Sequence, residues 1–469
     1  MTAGGMALAA MPASLLHTAS PPDTTLGERT MSPLGIDDLP NFCSHEHWGS
    51  IAAIGPAPDE NGFRADTEAG ATPSRQVRIW DLVLDPYAGG WIHATGVNPF
   101  AVGRDRGEPD LVAWWDKEPE AAFAAIAPHL ERQLFTGVFQ CLRQGLRFLH
   151  DIDIATLALP DWQAADKAVG QSYADVFAWY ARAMEKARFS ALIRPVHPEF
   201  YVREETSEGA ARERAFTDTI MRIDPLLDLW KQDSPRRDTL ADLTGVDPVD
   251  AVTWRAFITK LFDLAAEGKT TGIKQLQAYT RTLCYEETDD TAVTWRGDLD
   301  PDQVKAFQDW VMHECCKQAH ERGWPHQMHI GTHNILESSP MPLEPLARRY
   351  PRMSIVMIHC WPFLDEAGWL AKHIPNMHID TCWQPVLNPQ FLRQSLMTWL
   401  NYVPTHKIML AHDSTSIEMA VGSSRFTREI LAEALERQGC GVDASWRRQA
   451  AGDMLHNNAV RLYGVGETV

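Results

Sequence analysis

From residue 325 onward the chain alternates short apolar runs with amphipathic stretches, and the runs end in polar residues: QMH at 327–329, IVMIH at 355–359 and IMLAHD at 408–413. Strands are expected at 327–330, 354–359, 377–383 and 407–413. They start roughly 25 to 30 residues apart, the length of a unit whose helix crosses back outside a parallel sheet. The spacing of Val304, Phe307, Val311 and Cys315 places a helix ahead of the first of them, and further helices are expected over 342–349, 365–373 and 389–400. Upstream, SALIRPV at 190–196 and GIKQ at 272–275 fit two more strands, 221–223 a weaker one, and FCSHEH at 42–47 the first. Eight strands with polar C-terminal ends predict an α/β fold, a TIM-like (β/α)8 barrel, with its active site at that end. The alternative is an open doubly wound sheet, but no glycine-rich first turn supports a dinucleotide crevice.

Residues 1–38 mix Ala, Pro, Ser, Thr and Gly without periodicity and are expected to form a mobile N-terminal tail, so the barrel would run over 39–469. Between the first two strands lies a long stretch, 48–189, with helical segments at 120–134 and 137–149 and tryptophans at 80, 91, 114, 115, 162 and 179. It is expected as a helical insertion that leaves the barrel at its functional face and acts as a lid over the mouth; a separate second domain is the alternative.

Acidic residues outnumber basic ones 62 to 43, a formal charge of −19, which argues against a sequence-independent hold on nucleic acid and favours solubility as the role of the charge. No apolar run reaches the roughly 18 residues of a membrane span, and the N-terminal stretch lacks the basic start of a secretory signal. No membrane partner is expected, and a cytoplasmic location follows by default. The 8 cysteines contain no CxxC pair, which disfavours a zinc knuckle and a disulfide framework. A small-molecule substrate is the partner such a barrel implies; barrels of this kind often pair, which leaves a homo-oligomer open.

In an extended strand, residues i and i+2 project to one side, so His45 and His47 present two imidazoles to one point while Glu46 faces away. Neutral imidazole suits zinc, manganese or iron, and a third nitrogen plus a carboxylate would complete a site with a position open for water. His329 and Asp413 are the candidates. Along the last strand Met409, Ala411 and Asp413 share a face, so the carboxylate would point inward and His412 outward. His359 ends its own run between those two strands. With 18 histidines in the chain, any one of these features alone could be structural; the ordered set, each at a strand end, is what points to a metal. Lys274, in TTGIKQL, would carry a large desolvation cost as an ammonium facing the lumen. Three states remain open for it: a carbamate bridging two metals, a cation binding a substrate carboxylate, or a lysine snorkelling to water.

These residues resemble the amidohydrolase superfamily, and within it the amidohydrolase-related branch that includes domains fused to glutamine-synthetase-like proteins. The likeness runs from GIKQLQAYTR through HQMHIG and IHCWPFLDEAGWLAKHIPNMHIDTCW to IMLAHDS and NNAVRLYG, and more weakly back to SHEH and the CLRQGLRFL helix. RGWPHQMHIG is also similar to uronate isomerases of comparable length. The resemblance implies that His45, His47, His329 and Asp413 bind a divalent metal, zinc first and manganese second, and that His359 polarises the substrate or stabilises a developing oxyanion. One departure is Ala-His-Asp at 411–413, where many relatives read Gly-Ser-Asp.

The implied chemistry is hydrolysis of an amide or related C–N bond in a small carboxylate-bearing substrate. A divalent metal lowers the pKa of its water to about 7, and Asp413 would take the proton and pass it to the leaving nitrogen. Arg281 and Tyr279, in AYTR, are expected to anchor the substrate carboxylate, with a surface salt bridge as the other reading of Arg281. Trp361 and Trp383 would wall the pocket or plug the barrel end. A decarboxylase or a uronate-isomerase-like enzyme could use the same site, and a non-catalytic barrel is the third reading.

Overall fold

The computed structural model describes residues 34–47, 75–84, 92–98, 101–202 and 208–467. Its sheet has eight parallel strands in sequential order: β1 Asn41–Cys43, β2 Phe189–Val196, β3 Thr217–Arg222, β4 Ile273–Gln275, β5 His326–His329, β6 Ile355–Ile358, β7 Met377–Asp380 and β8 Ile408–Met409. All eight expected strands are present, curled into the TIM-barrel architecture. β3 is longer than its weak apolar signal suggested, because Thr217 to Arg222 pairs with both neighbours.

The two-residue period of each strand sorts side chains between the lumen and the outer helices. Ile355 and Met357 of β6, Ile379 of β7, Met328 of β5 and Ile273 of β4 join the outer core. Their neighbours Val356 and Ile358 line the lumen with Phe42, Ile220 and Met409. The alternation aims Lys274, Gln327 and Asp380 inward as well, and all three are buried. Tyr463, near the C-terminus, closes the lumen: its ring stacks on Phe42 at 6.4 Å and its hydroxyl accepts from Gln327 Nε2 at 2.8 Å.

Outside the sheet, α1 (Gly137–His150) belongs to the insertion, α2 (Ala251–Glu267) and α3 (Pro301–Arg322) precede β4 and β5, α4 (Leu364–His373) and α5 (Pro389–Trp399) follow β6 and β7, and α6 (Ile417–Gln438) follows β8. α3 starts where its sequence allows it to: Asp300 accepts from the Gln303 amide, Pro301 takes the first turn, and Gly323 closes the helix at φ +69°.

The described part of the 48–189 stretch is mostly helical and packs on the barrel's flank. Its core of Trp80, Trp115, Phe123 and Trp162 is continuous with Ile417, Ala420 and Val421 of α6. α1 and α6 cross at glycine: a Cβ on Gly145 would lie 1.7 Å from the Glu418 carbonyl oxygen, and one on Gly422 1.7 Å from that of Cys141. Buried Glu418 ties the two sides together by accepting from Tyr173 at 2.8 Å and pairing with His150 at 3.1 Å. These contacts hold the described helices against the barrel; residues 48–74, 85–91 and 99–100, on which the expected lid also falls, lie outside the described residues.

The expected tail also ends earlier than residue 38. Leu34 and Ile36 are buried in the outer core, and Arg428 donates to the carbonyls of Ile36 at 2.6 Å and Leu39 at 2.8 Å. Residues 1–33 lie outside the described residues.

Candidate metal centre

Past the ends of β1 and β8 the two segments hydrogen-bond to each other, and His45, His47 and Asp413 lie along that seam. His45 leads the set. Its Nδ1 lies 2.7 Å from Gln327 Oε1, and the same amide donates through Nε2 to the Ser44 carbonyl at 2.7 Å, which fixes which end of the amide faces the imidazole. Nδ1 is therefore the donor, and the lone pair of His45 sits on Nε2. That nitrogen is 3.2 Å from His47 Nε2. The Asp413 carboxylate reaches both, 3.8 Å from His45 Nε2 and 3.6 Å from His47 Nε2.

Asp413 reaches this position by a route that strand alternation does not describe. β8 ends at Met409, so the expected shared face of Met409, Ala411 and Asp413 has no strand beneath it beyond that residue. Asp413 instead has φ +52°, a bulge-like turn that swings its side chain inward. Its amide donates to the His45 carbonyl at 3.0 Å, the His47 amide donates to the Ser414 carbonyl at 2.9 Å, and the Ser414 amide donates to Glu46 Oε2 at 2.8 Å. His412 points outward between β1 and α6, 3.0 Å from Asn41 Nδ2 and 3.2 Å from Ser423 Oγ.

His359 likewise lies just past its strand, at φ +70°. Its Nδ1 donates to the Cys382 carbonyl at 2.8 Å, leaving Nε2 directed at Asp413 Oδ2 (3.4 Å) and His329 Nδ1 (3.1 Å). His329 Nε2 in turn lies 2.7 Å from Thr332 Oγ1. Two groups bring possible ligand atoms within 4.8 Å of one another, His45–His47–Asp413 and His359–Cys382–Asp413. His329 stands beside both, next to His359. Cys382 is the member that the sequence reading missed; its signal was one cysteine at a strand end. Burial, then Asp380 and Asp413, push its thiol well above the ordinary range, so it is protonated.

Burial and neighbouring charge keep the imidazoles neutral. Burial first, then the charge of Lys274, hold His45 and His47 well below the ordinary imidazole range; burial and then His359 do so for His329. His359 is pushed down to about 3, chiefly by burial. All four are neutral near pH 7, the form that ligates metal. Two imidazole nitrogens and a carboxylate converging on one point are a donor set that fits a divalent ion such as zinc or manganese.

The remaining expected residues divide. Lys274, 1% exposed on the inward side of β4, acts on the charge state of His45, His47, His329 and His359, and its register partner on β3 is Arg222. The Tyr279 ring is 4.6 Å from that of His329, and the Trp383 ring 5.3 Å from that of His359. Burial and the Asp413 carboxylate raise the Tyr279 phenol. Trp361 contributes its backbone, whose carbonyl accepts from the Thr332 amide at 2.8 Å. Arg281 is turned to α3: it pairs with Asp309, donates to Gln308 and to the carbonyls of Thr282 and Cys284, and lies over the Tyr285 ring. Its fork is thus occupied by the fold.

Comparison with known proteins points the same way as the seam. The family model that matches is Amidohydrolase. It covers residues 292–465, which hold β5 to β8 together with His329, His359 and Asp413. Among curated proteins, fluG of Emericella nidulans is 25% identical over 239 residues, 45% of this chain; the match spans 28% of fluG. Solved structures similar to this chain include a glucuronate isomerase from Caulobacter crescentus (TM-score 0.67, 17% identity, 92% of this chain and 93% of that one) and a uronate isomerase from Bacillus halodurans (TM-score 0.61, 16% identity, 92% and 95%). A protein described as a metal-dependent hydrolase from Lactobacillus casei matches at TM-score 0.59 and 15% identity over 92% and 96%. The solved structures establish the TIM-barrel fold. No helix among the described residues is long and apolar enough to cross a membrane.

Proposed function

We propose that this chain is a metal-dependent hydrolase that cleaves an amide or related C–N bond of a small carboxylate-bearing substrate. The observation that carries the reading is the convergence of His45 Nε2, His47 Nε2 and the Asp413 carboxylate at the barrel mouth. These three would hold a divalent ion, zinc or manganese, with His329 beside them as the fourth ligand once it exchanges its Thr332 bond for the ion. The ion would supply Lewis acidity at the mouth.

Asp413 takes a proton from the attacking water as the C–O bond forms and returns it to the nitrogen as the C–N bond breaks. His359, its Nδ1 anchored on the Cys382 carbonyl, faces Asp413 and polarises the carbonyl under attack. Lys274, buried on the inward side of β4, supplies positive charge on the wall where a substrate carboxylate would lie; Arg222, beside it on β3, is paired with Asp224 at 2.7 Å.

A second reading, isomerisation of a sugar acid, is favoured by the likeness to uronate isomerases over more than nine tenths of both chains. Product analysis separates the two: amine or ammonia release marks hydrolysis, and unchanged mass marks isomerisation. Carbon dioxide release would instead mark a decarboxylase. A protein that holds no divalent metal after dialysis against zinc or manganese, and gains no activity from either, would rule out the proposal.

A further inference from the structure

The loop after β5 carries a histidine to which no role has yet been given. His333 is exposed, yet its ring is held on three sides. It stacks on Tyr279 (4.5 Å, 29°), lies near-parallel to Trp383 (6.2 Å, 20°), and its Nδ1 is 3.1 Å from Thr332 Oγ1. Its Nε2 has no hydrogen-bond partner among the described residues. Tyr279 and Trp383 are the rings that also touch His329 and His359, so the tier Tyr279–His333–Trp383 stands directly outside the two inner histidines.

The backbone that places this imidazole is strained. Gly331 has φ +70°, Thr332 +63° and Asn334 +44°. A β-branched residue in the left-handed region is an outlier, held only where the surroundings over-determine it. Here they do: Thr332 donates to the Trp361 carbonyl at 2.8 Å, the His333 amide to the Gly331 carbonyl at 2.8 Å, and Ser338 Oγ to the His333 carbonyl at 3.1 Å. Gly331 is required because a Cβ there would sit 1.9 Å from the Trp361 oxygen. The same turn sets Thr332 Oγ1 between His329 Nε2 (2.7 Å) and His333 Nδ1 (3.1 Å), while His333, Ile335 and Leu336 are exposed.

We propose that His333 is a substrate-recognition residue, completing with Tyr279 and Trp383 an aromatic tier that receives a planar group adjoining the carbon held at the metal centre. The ligand class it fits is an aromatic or otherwise conjugated acyl compound, in contact with ring edges and the outward Nε2. The inference rests on the metal reading of His45, His47 and Asp413.

The test uses the full-length, zinc-loaded protein and two probes that chelate a divalent ion whatever the reaction: acetohydroxamate, which is head group alone, and benzohydroxamate, which adds a ring. Benzohydroxamate should bind more tightly than acetohydroxamate by roughly threefold to tenfold, the range of an aromatic pair. His333→Ala should erase that preference and His333→Phe should keep it, with zinc content, melting temperature and acetohydroxamate affinity unchanged in both. An equal affinity of the wild type for the two probes, or a preference that survives His333→Ala, overturns the role of His333 while the metal centre stands. Binding of neither probe to zinc-loaded protein would sink the metal reading and this inference with it.

Discussion

The backbone amide of Asp413 donates to the carbonyl of His45, 3.0 Å away, so the carboxylate and the first imidazole are joined through the main chain before any ion is considered. With the bond from the His47 amide to the Ser414 carbonyl, the link fixes the spacing of the three ligand side chains. Asp413→Asn should therefore leave the melting temperature within a few degrees of wild type. Turnover should fall by roughly 10²-fold to 10⁴-fold, the usual share of a general acid–base group. Near-normal turnover in a folded, metal-loaded variant would remove Asp413 from the mechanism.

Gln327 is the residue that commits His45 to ligation, because its Oε1 accepts a hydrogen bond from Nδ1–H, which keeps the proton there and leaves Nε2 bare. Gln327→Leu should weaken zinc binding by roughly 10-fold to 100-fold, the range for loss of a group that orients a ligand. Competition against a chromophoric chelator measures it; an unchanged affinity would mean that the tautomer is set elsewhere.

Arg281 separates two readings of one residue. As a carboxylate anchor it would raise KM when removed; as a partner of Asp309 it would lower stability. Asp309 keeps Lys305 and the Glu286 amide after truncation of Arg281, so Arg281→Ala should cost about 2 kcal/mol, below the full penalty of a broken buried pair. Urea denaturation and substrate kinetics on the same sample decide between them.

At the crossing of α1 and α6, Gly145→Val should destabilise by more than about 3 kcal/mol, since the clashing atom is backbone and cannot rotate away. Soluble, wild-type-like protein from this variant would show that the insertion is not clamped as described.

Burial lowers His326, His359, His378 and His412 to about 3. In the unfolded chain they titrate near 6.5, so between that pH and about 3 the unfolded state binds more protons. Stability should fall as pH drops through that window and should be fully present above it. Equilibrium unfolding at pH 7.5 and pH 5.0 tests the sign; a more stable protein at pH 5.0 would contradict it.

Much of this fold was legible because a barrel strand is a local object: a few apolar residues, a polar end, and a helix-length gap to the next. The residue types at the mouth were legible for the same reason. The aim of those residues was not. His359, Trp383 and Asp413 all take left-handed φ values just past strands that end earlier than the apolar runs suggest, and such values depend on what the neighbouring strand offers as a hydrogen-bond partner. The partner of Arg281 was not legible either, since nothing near AYTR reveals Asp309 on the next helix.

The sequence by itself determined the number and order of the strands and the supply of imidazole and carboxylate near their ends, because periodicity and residue chemistry are properties of short segments. The tertiary structure alone decided which nitrogens carry lone pairs, that the helix Gly137–His150 packs on the helix Ile417–Gln438, and that His333 is fixed between two rings. Each of those depends on groups tens to hundreds of residues apart meeting within hydrogen-bond or van der Waals distance, and only the curled sheet brings them there.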